Sequence, residues 1–278
     1  MRSIWLCADD YGISPAVNIA IRDLVVRGRL NATSALVVAP SCHRLEAMAL
    51  DALNRGEPRV AIGLHVALTA PFRPASPGFA PLTNGRFMSL GRTVAHAFLR
   101  RFNADALAGE VAAQLRAFEQ AFGRAPDYID GHHHVHLLPQ VRDAVLAVAK
   151  AEVPDAWLRQ CGRAGRLAAR LGDYKGFFLD ALSGSFRRRA AALGLRTNLC
   201  FAGAYAFAED ADFAALFPRF LEGLPDGGVV MCHPGFVDDE LRGLDPLTTL
   251  REREYAFLAG EMFASVLAAR DIVLARPP

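Results

Sequence analysis

Short apolar runs alternate with longer amphipathic stretches along almost the whole chain. The short runs are typical of buried β-strands, and the longer ones have the spacing of helices with one apolar face. The predicted strands are Ile4–Ala8, Ala35–Ala39, Val60–Leu68, Tyr128–Asp130, Ala156–Arg159, Thr197–Phe201, Gly228–Cys232 and Ile272–Leu274. The predicted helices are Pro15–Arg27, His43–Arg55, Ala104–Phe122, Gln140–Ala151, Gly176–Leu193, Asp210–Leu221 and Thr248–Arg270.

Repeated strand–helix alternation predicts a parallel sheet with helices packed outside it. Seven or eight such units in 278 residues favour an α/β fold of the (β/α) barrel type, formed as a single domain over residues 1–278. Active sites of such barrels lie at the carboxyl ends of the strands. The residues that end or follow predicted strands include Asp9, Asp10, His132, Arg159 and His233, with His65 inside the third strand.

The segment 70–91 interrupts this pattern with a mixture of prolines, glycines and three phenylalanines. A loop this long in a compact domain is usually functional or disordered. Because it directly follows the strand that contains His65, we predict a lid or substrate-binding loop rather than an idle insertion.

Composition narrows the class of protein. The formal net charge of +2 gives no reason to expect nucleic acid or an anionic membrane as a partner. The basic run Arg187–Arg189 lies in a helical stretch and is predicted to be a solvated helix face; Arg251 and Arg253 are a second basic pair. Five cysteines without a CxxC motif indicate reduced thiols, and the start of the chain has neither a signal peptide nor a spanning segment, so a cytoplasmic protein is expected.

Adjacent carboxylates at a strand end are costly unless they are solvated, hydrogen-bonded or facing a cation. Asp9 and Asp10 therefore fit either an exposed helix cap or a metal site. His65, inside an apolar strand, is either a satisfied core histidine or a ligand, and His233 is either a turn residue or a general acid.

The strongest local signal is the run Asp130-Gly131-His132-His133-His134-Val135-His136. Four histidines in five positions of an interior turn favour a metal site. If this segment is extended, His132, His134 and His136 share one face, and the spacing does not choose between them. Asp130 is predicted to orient a ligand histidine.

Taken together, one carboxylate and two imidazoles at separate strand ends suit a divalent ion with open coordination positions. The quoted residues resemble the YdjC-like carbohydrate deacetylase family. The matching motifs are Ala8–Gly12, Ile62–His65, Asp130–His136, Pro139–Gln140, His233–Asp238 and Leu247–Glu254.

The resemblance implies a distorted (β/α) barrel related to NodB-like deacetylases, and removal of N-acetyl groups from small N-acetylglucosamine oligosaccharides. It implies a divalent ion, usually magnesium, on Asp10, His65 and His132, with Asp9 as general base and His233 as a candidate acid. Zinc, cobalt or manganese would suit the same ligands chemically.

The remaining predicted roles are those of residues around this centre. We expect Arg159 either to keep Asp9 ionised or to form a surface salt bridge. A backbone N–H near Tyr11 is predicted to stabilise the oxyanion, and His136 is an alternative acid to His233. Rings of the 70–91 loop would suit stacking on the small carbohydrate substrate or would form a local core.

Two other functions are compatible with the sequence: another metal-dependent hydrolase, such as a phosphoesterase, and a non-catalytic carbohydrate-binding or metal-storage protein. A phosphoesterase would bind two metal ions per chain, and a binding protein would bind sugar without releasing acetate. Amphipathic helix faces leave a homodimer as a further prediction.

Overall fold

The computed structural model describes residues 1–163 and 174–277, and the side chains of residues 174 and 175 are not described. Its strands are β1 (Arg2–Tyr11), β2 (Ala32–Ala35), β3 (Ala61–Val66), β4 (Tyr128–Gly131), β5 (Trp157–Leu158), β6 (Phe201–Ala202), β7 (Gly228–Cys232) and β8 (Ile272–Leu274). Its helices are α1 (Pro15–Val26), α2 (Arg44–Asp51), α3 (Leu90–Phe98), α4 (Ala104–Phe122), α5 (Val141–Glu152), α6 (Tyr174–Ala192), α7 (Phe213–Phe220), α8 (Asp239–Leu244), α9 (Thr249–Ala259) and α10 (Glu261–Ala268).

The strands form one parallel sheet in the order β5-β4-β3-β2-β1-β7-β6, with β8 beside the start of β1. The outer edges of β5 and β6 also approach each other. A parallel bridge joins Leu158 to Thr197, and the Phe201 N–H donates to the Gly162 carbonyl over 2.9 Å. The sheet therefore curls into a distorted (β/α) barrel, which confirms the predicted fold class.

The strand register gathers the polar strand ends at one edge of this barrel. Ala8 of β1 pairs with Cys232 of β7, so the residues that follow each of them are neighbours. His65 of β3 pairs with Asp130 of β4. The parallel arrangement thus places side chains that are far apart in sequence at a common carboxyl edge.

The second strand lies earlier than the predicted Ala35–Ala39. It includes Thr33 and Ser34, which are fully buried but have hydrogen-bond partners for their hydroxyls. Thr33 Oγ1 donates to the Ala8 carbonyl over 2.8 Å, and Ser34 Oγ donates to Asp130 Oδ2 over 2.5 Å. Hydroxyl side chains with such hydrogen-bond partners can lie in a buried strand. The prediction relied on hydrophobicity alone, so it placed this strand too late in the chain.

Two further element predictions were wrong in detail. The sixth strand covers only Phe201–Ala202 instead of Thr197–Phe201. The predicted helix Thr248–Arg270 is two helices, because the backbone at Gly260 is extended, with ψ 167°. Helices α3 and α8 had no counterpart among the predicted elements.

The segment 70–91 is tied to the body of the protein. Phe72, Phe79 and Phe87 are buried, with 3%, 4% and 1% exposure, so their rings form a local core and are not open for stacking on a ligand. The carboxylate of Glu110, on α4, accepts hydrogen bonds from two backbone N–H groups of the segment. Its role as a lid or substrate loop stays a prediction.

Four of the five cysteines are buried, and Cys42 is half-buried. Within residues 1–163 and 174–277, no helix is both long enough and apolar enough to cross a membrane.

Candidate active site

Asp9 and Asp10 both direct their carboxylates towards His65, although neighbouring residues of a strand normally point to opposite faces. Asp10 has a left-handed backbone, with φ +68°, and the pairing of β1 with β2 shifts register at this point. As a result Asp10 Oδ1 lies 3.4 Å from His65 Nε2, and Asp9 Oδ2 lies 3.9 Å from the same nitrogen. A local break in the alternation therefore brings both acids to one side.

His65 is held in one orientation by Asp130. Its Nδ1 donates to Asp130 Oδ1 over 2.6 Å, which leaves Nε2 facing Asp10. Burial opposes a charge on this imidazole, but Asp130 and Asp9 outweigh burial and raise the pKa of His65 to about 10. This contact is the one expected if Asp130 orients a ligand histidine, an arrangement common around metal-binding histidines. The role itself stays a prediction.

His132 completes a group of three donors. Its Nδ1 lies 2.9 Å from Asp10 Oδ1. The ligand atoms of Asp10, His65 and His132 all lie within 4.8 Å of one another, and the three side chains are buried. One carboxylate oxygen and two imidazole nitrogens fit a divalent cation that keeps positions for water and substrate.

Arg159 is fully buried beneath this group and is not a surface residue. Its guanidinium donates to both oxygens of Asp9, over 2.6 and 2.7 Å, and lies 2.8 Å from Asp130 Oδ2. Burial alone would raise the pKa of Asp9, but the Arg159 charge lowers it below its usual value. Arg159 therefore keeps Asp9 ionised, as one of the two predicted alternatives required.

Cys7, Asp9 and Asp130 also lie close enough to share an ion. However, Arg159 Nη1 lies among them, 3.7 Å from the Cys7 sulfur. The guanidinium supplies the positive charge at this second group.

Arg251 is a buried residue of the site that the sequence reasoning missed. Its Nη2 donates to Asp10 Oδ2 and to Asp245 Oδ2, each over 2.6 Å. Asp10 therefore has one oxygen bound to Arg251 and the other facing the two histidines. Despite burial, His132 and Arg251 hold the pKa of Asp10 well below its usual value.

The charges of this centre favour a cation. Asp9, Asp10 and Asp130 have lowered pKa values and are ionised near neutral pH, and the surrounding carboxylates raise the pKa of His65. A bound ion would require the neutral imidazole of His65, which leaves Arg159 and Arg251 as the positively charged partners of the three carboxylates. A divalent ion would balance the remaining negative charge.

The segment that carries the other histidines is not extended, although the ring of His133 packs against that of His132, with centres 3.9 Å apart. His133 and His134 have left-handed backbones, with φ 55° and 56°, inside a 3₁₀ turn. His134 Nδ1 contacts the Cys161 sulfur at 3.5 Å, and His136 Nε2 donates to the Arg159 carbonyl over 2.7 Å. The prediction that His132, His134 and His136 share one face was therefore wrong.

His233 follows β7 and is partly exposed at the same edge. Its backbone N–H donates to the carboxylate of Glu254, and its Nδ1 is buried without a partner among the described residues. Burial lowers the pKa of the His233 imidazole. The exposed ring of Phe207 packs edge-on against this imidazole, with ring centres 5.2 Å apart.

The side chain of Tyr11 does not join the cluster. Its hydroxyl donates to the Glu46 carbonyl over 2.8 Å and accepts from Arg22 over 2.8 Å. The oxyanion role predicted for a backbone N–H near Tyr11 stays a prediction.

Arg251 and Glu254 could have been found from the helical spacing of α9. The buried apolar residues Leu250, Phe257 and Leu258 recur at intervals of one helix face, and both charged residues fall on that face. The alternating arginines and glutamates of Arg251–Glu254 made this pattern hard to recognise, because runs of alternating charge usually lie on a solvated helix surface.

Comparison with known proteins places this site in a family. The model of the YdjC-like proteins matches residues 3–269. The chain belongs to the YdjC-like family. One relative of this YdjC-like chain is the chitooligosaccharide deacetylase of Escherichia fergusonii, which is 30% identical over 249 residues, or 87% of this chain and 84% of the relative.

Two solved structures share the fold of this YdjC-like chain. A putative cellobiose-phosphate cleavage protein from Enterococcus faecalis V583 superposes with a TM-score of 0.77 at 24% identity, covering 99% of this chain and 97% of the other. A peptidoglycan N-acetylglucosamine deacetylase superposes with a TM-score of 0.51 at 11% identity, covering 98% of this chain and 85% of the other. At these identities both likenesses concern the fold alone.

Proposed function

We propose that this chain is a metal-dependent carbohydrate deacetylase, which hydrolyses the N-acetyl group of small N-acetylglucosamine-containing oligosaccharides and releases acetate. The named activity of the Escherichia fergusonii relative supports the reaction class and the substrate class. Membership of the YdjC-like family over residues 3–269 supports the same reading.

One observation carries the proposal. Donor atoms of Asp10, His65 and His132 lie within 4.8 Å of one another, beside the carboxylate of Asp9. These residues would hold the ion. When bound, a divalent cation polarises a carbonyl and lowers the pKa of water from 15.7 towards about 7.

The protein's own groups supply the proton transfers. The carboxylate of Asp9 is held by two nitrogens of the Arg159 guanidinium and has its Oδ2 3.9 Å from His65 Nε2. Asp9 accepts the proton of the attacking water. His233 donates a proton to the departing sugar amine. His136 is unsuited to this step, because it is fully buried and its Nε2 already donates to the Arg159 carbonyl.

The test separates the ligands from the base. Purified protein is loaded in turn with magnesium, manganese, cobalt and zinc, and acetate release from diacetylchitobiose is measured together with bound metal. We expect Asp9→Asn to bind the ion and to lose at least about 100-fold in kcat, because general base catalysis contributes about 100- to 10,000-fold. His132→Ala is expected to lose both metal and activity.

Equal loss of metal in the two variants would refute this division of roles. Absence of acetate release by the wild-type protein with every ion would refute the proposed reaction.

A further inference from the structure

Glu254 is a fully buried carboxyl group to which the reaction above assigns no step. It lies on α9 and has 0% exposure. Burying a carboxyl group costs free energy unless its oxygens are hydrogen-bonded. Both oxygens are used: Oε1 accepts from the Tyr205 hydroxyl over 2.6 Å, and Oε2 accepts from the His233 backbone N–H.

These two bonds join separate segments of the carboxyl edge. His233 follows β7, whereas Tyr205 lies in the segment that follows β6. The ring of Tyr205 contacts that of Phe207 with centres 4.3 Å apart, and Phe207 in turn contacts the His233 imidazole. Glu254 thus connects the main chain of His233 with the segment after β6, whose exposed Phe207 ring lies beside the His233 imidazole.

Helix α9 also contacts the predicted metal site. Arg251 precedes Glu254 by three residues, on the same face of α9, and binds Asp10. One helix therefore contacts a predicted metal ligand through Arg251 and the predicted acid through Glu254.

We propose that Glu254 is a positioning residue, which fixes His233 for proton donation and, through Tyr205, holds Phe207 against the bound sugar. This inference rests on the proposed deacetylation. Phe207 is 43% exposed, and an aromatic ring at the mouth of the site offers an apolar face to a sugar ring.

The test compares Glu254→Ala, Glu254→Gln and Tyr205→Phe with a control, Glu252→Gln, on the exposed side of the same helix. Misplacing a catalytic group by about 1 Å costs on the order of 100-fold, so we expect Glu254→Ala to lower kcat by about 10- to 100-fold while bound metal is unchanged. Glu254→Gln should be intermediate, because one carbonyl oxygen can replace only one of the two acceptors. Tyr205→Phe should raise KM and leave kcat nearly unchanged, since it releases only the Phe207 segment.

The His233 amide proton gives a readout that does not need activity. In the wild-type protein its resonance should lie downfield, because it donates to a carboxylate, and it should shift upfield in Glu254→Ala and not in Glu252→Gln. An unchanged His233 amide resonance in Glu254→Ala would overturn the inference, as would unchanged kcat and KM. A wild-type protein without acetate release would instead refute the proposed reaction, and the amide resonance would still decide the role of Glu254.

Discussion

Glu254 should make the stability of the fold depend on pH. Burial raises its pKa from 4.5 to about 7. A carboxyl group with a higher pKa in the folded state binds more protons folded than unfolded, so its ionisation lowers the free energy of unfolding as the pH rises through this window. The difference of about 2.5 pKa units corresponds to a fall of about 3 kcal/mol in the free energy of unfolding. This fall is complete only above pH 7.

Glu254→Gln isolates this contribution, because the amide does not titrate. The free energy of unfolding is measured by urea denaturation at pH 5 and pH 8, with a chelator present throughout. Relative to wild type, the Gln variant should gain about 2 to 3 kcal/mol between the two pH values, whatever constant offset the altered hydrogen bonds produce. Glu252→Gln, on the exposed side of α9, should show no such change. Parallel pH profiles of wild type and Glu254→Gln would refute the reasoning.

Two further substitutions test packing and buried charge. Gly63→Ala would place a methyl group 2.3 Å from the Tyr128 ring, so we expect a loss of stability of about 1 to 3 kcal/mol in urea denaturation. Gly109→Ala, in the exposed face of α4 with nothing within 4 Å, should instead stabilise by about 1 kcal/mol, and equal effects of the two would contradict this interpretation. Arg159→Met removes the guanidinium that pairs with the buried carboxylates of Asp9 and Asp130, and it should lower the free energy of unfolding by about 3 to 5 kcal/mol. A decrease of less than about 1 kcal/mol in urea denaturation would argue against that account.

The sequence was sufficient to predict the barrel and the residues that meet at its edge. Asp9, Asp10 and His65 are polar residues near the carboxyl ends of otherwise apolar strands. Parallel topology brings such strand ends together. This inference needs only local patterns and one rule of topology, so it succeeded without any knowledge of distances.

The orientation of the side chains depended on contacts that no local pattern reveals. The left-handed turns at His133 and His134 separate the histidines that an extended segment would align. Arg251 lies 241 residues from Asp10 along the chain, so the helical spacing that indicates the burial of Arg251 does not reveal its partner. The partner of Arg251 and the orientation of the histidines therefore depend on contacts between residues far apart in sequence, which sequence patterns do not predict.

The backbone of Asp10 restricts which residues can stand at this position. At φ +68° a side chain branched at Cβ would clash, whereas aspartate, asparagine and glycine are tolerated. Of those three, only aspartate offers a charged oxygen to an ion and a second one to Arg251. Chain conformation and coordination chemistry thus select the same amino acid independently, and asparagine is the replacement that would remove the charge without also disturbing the turn.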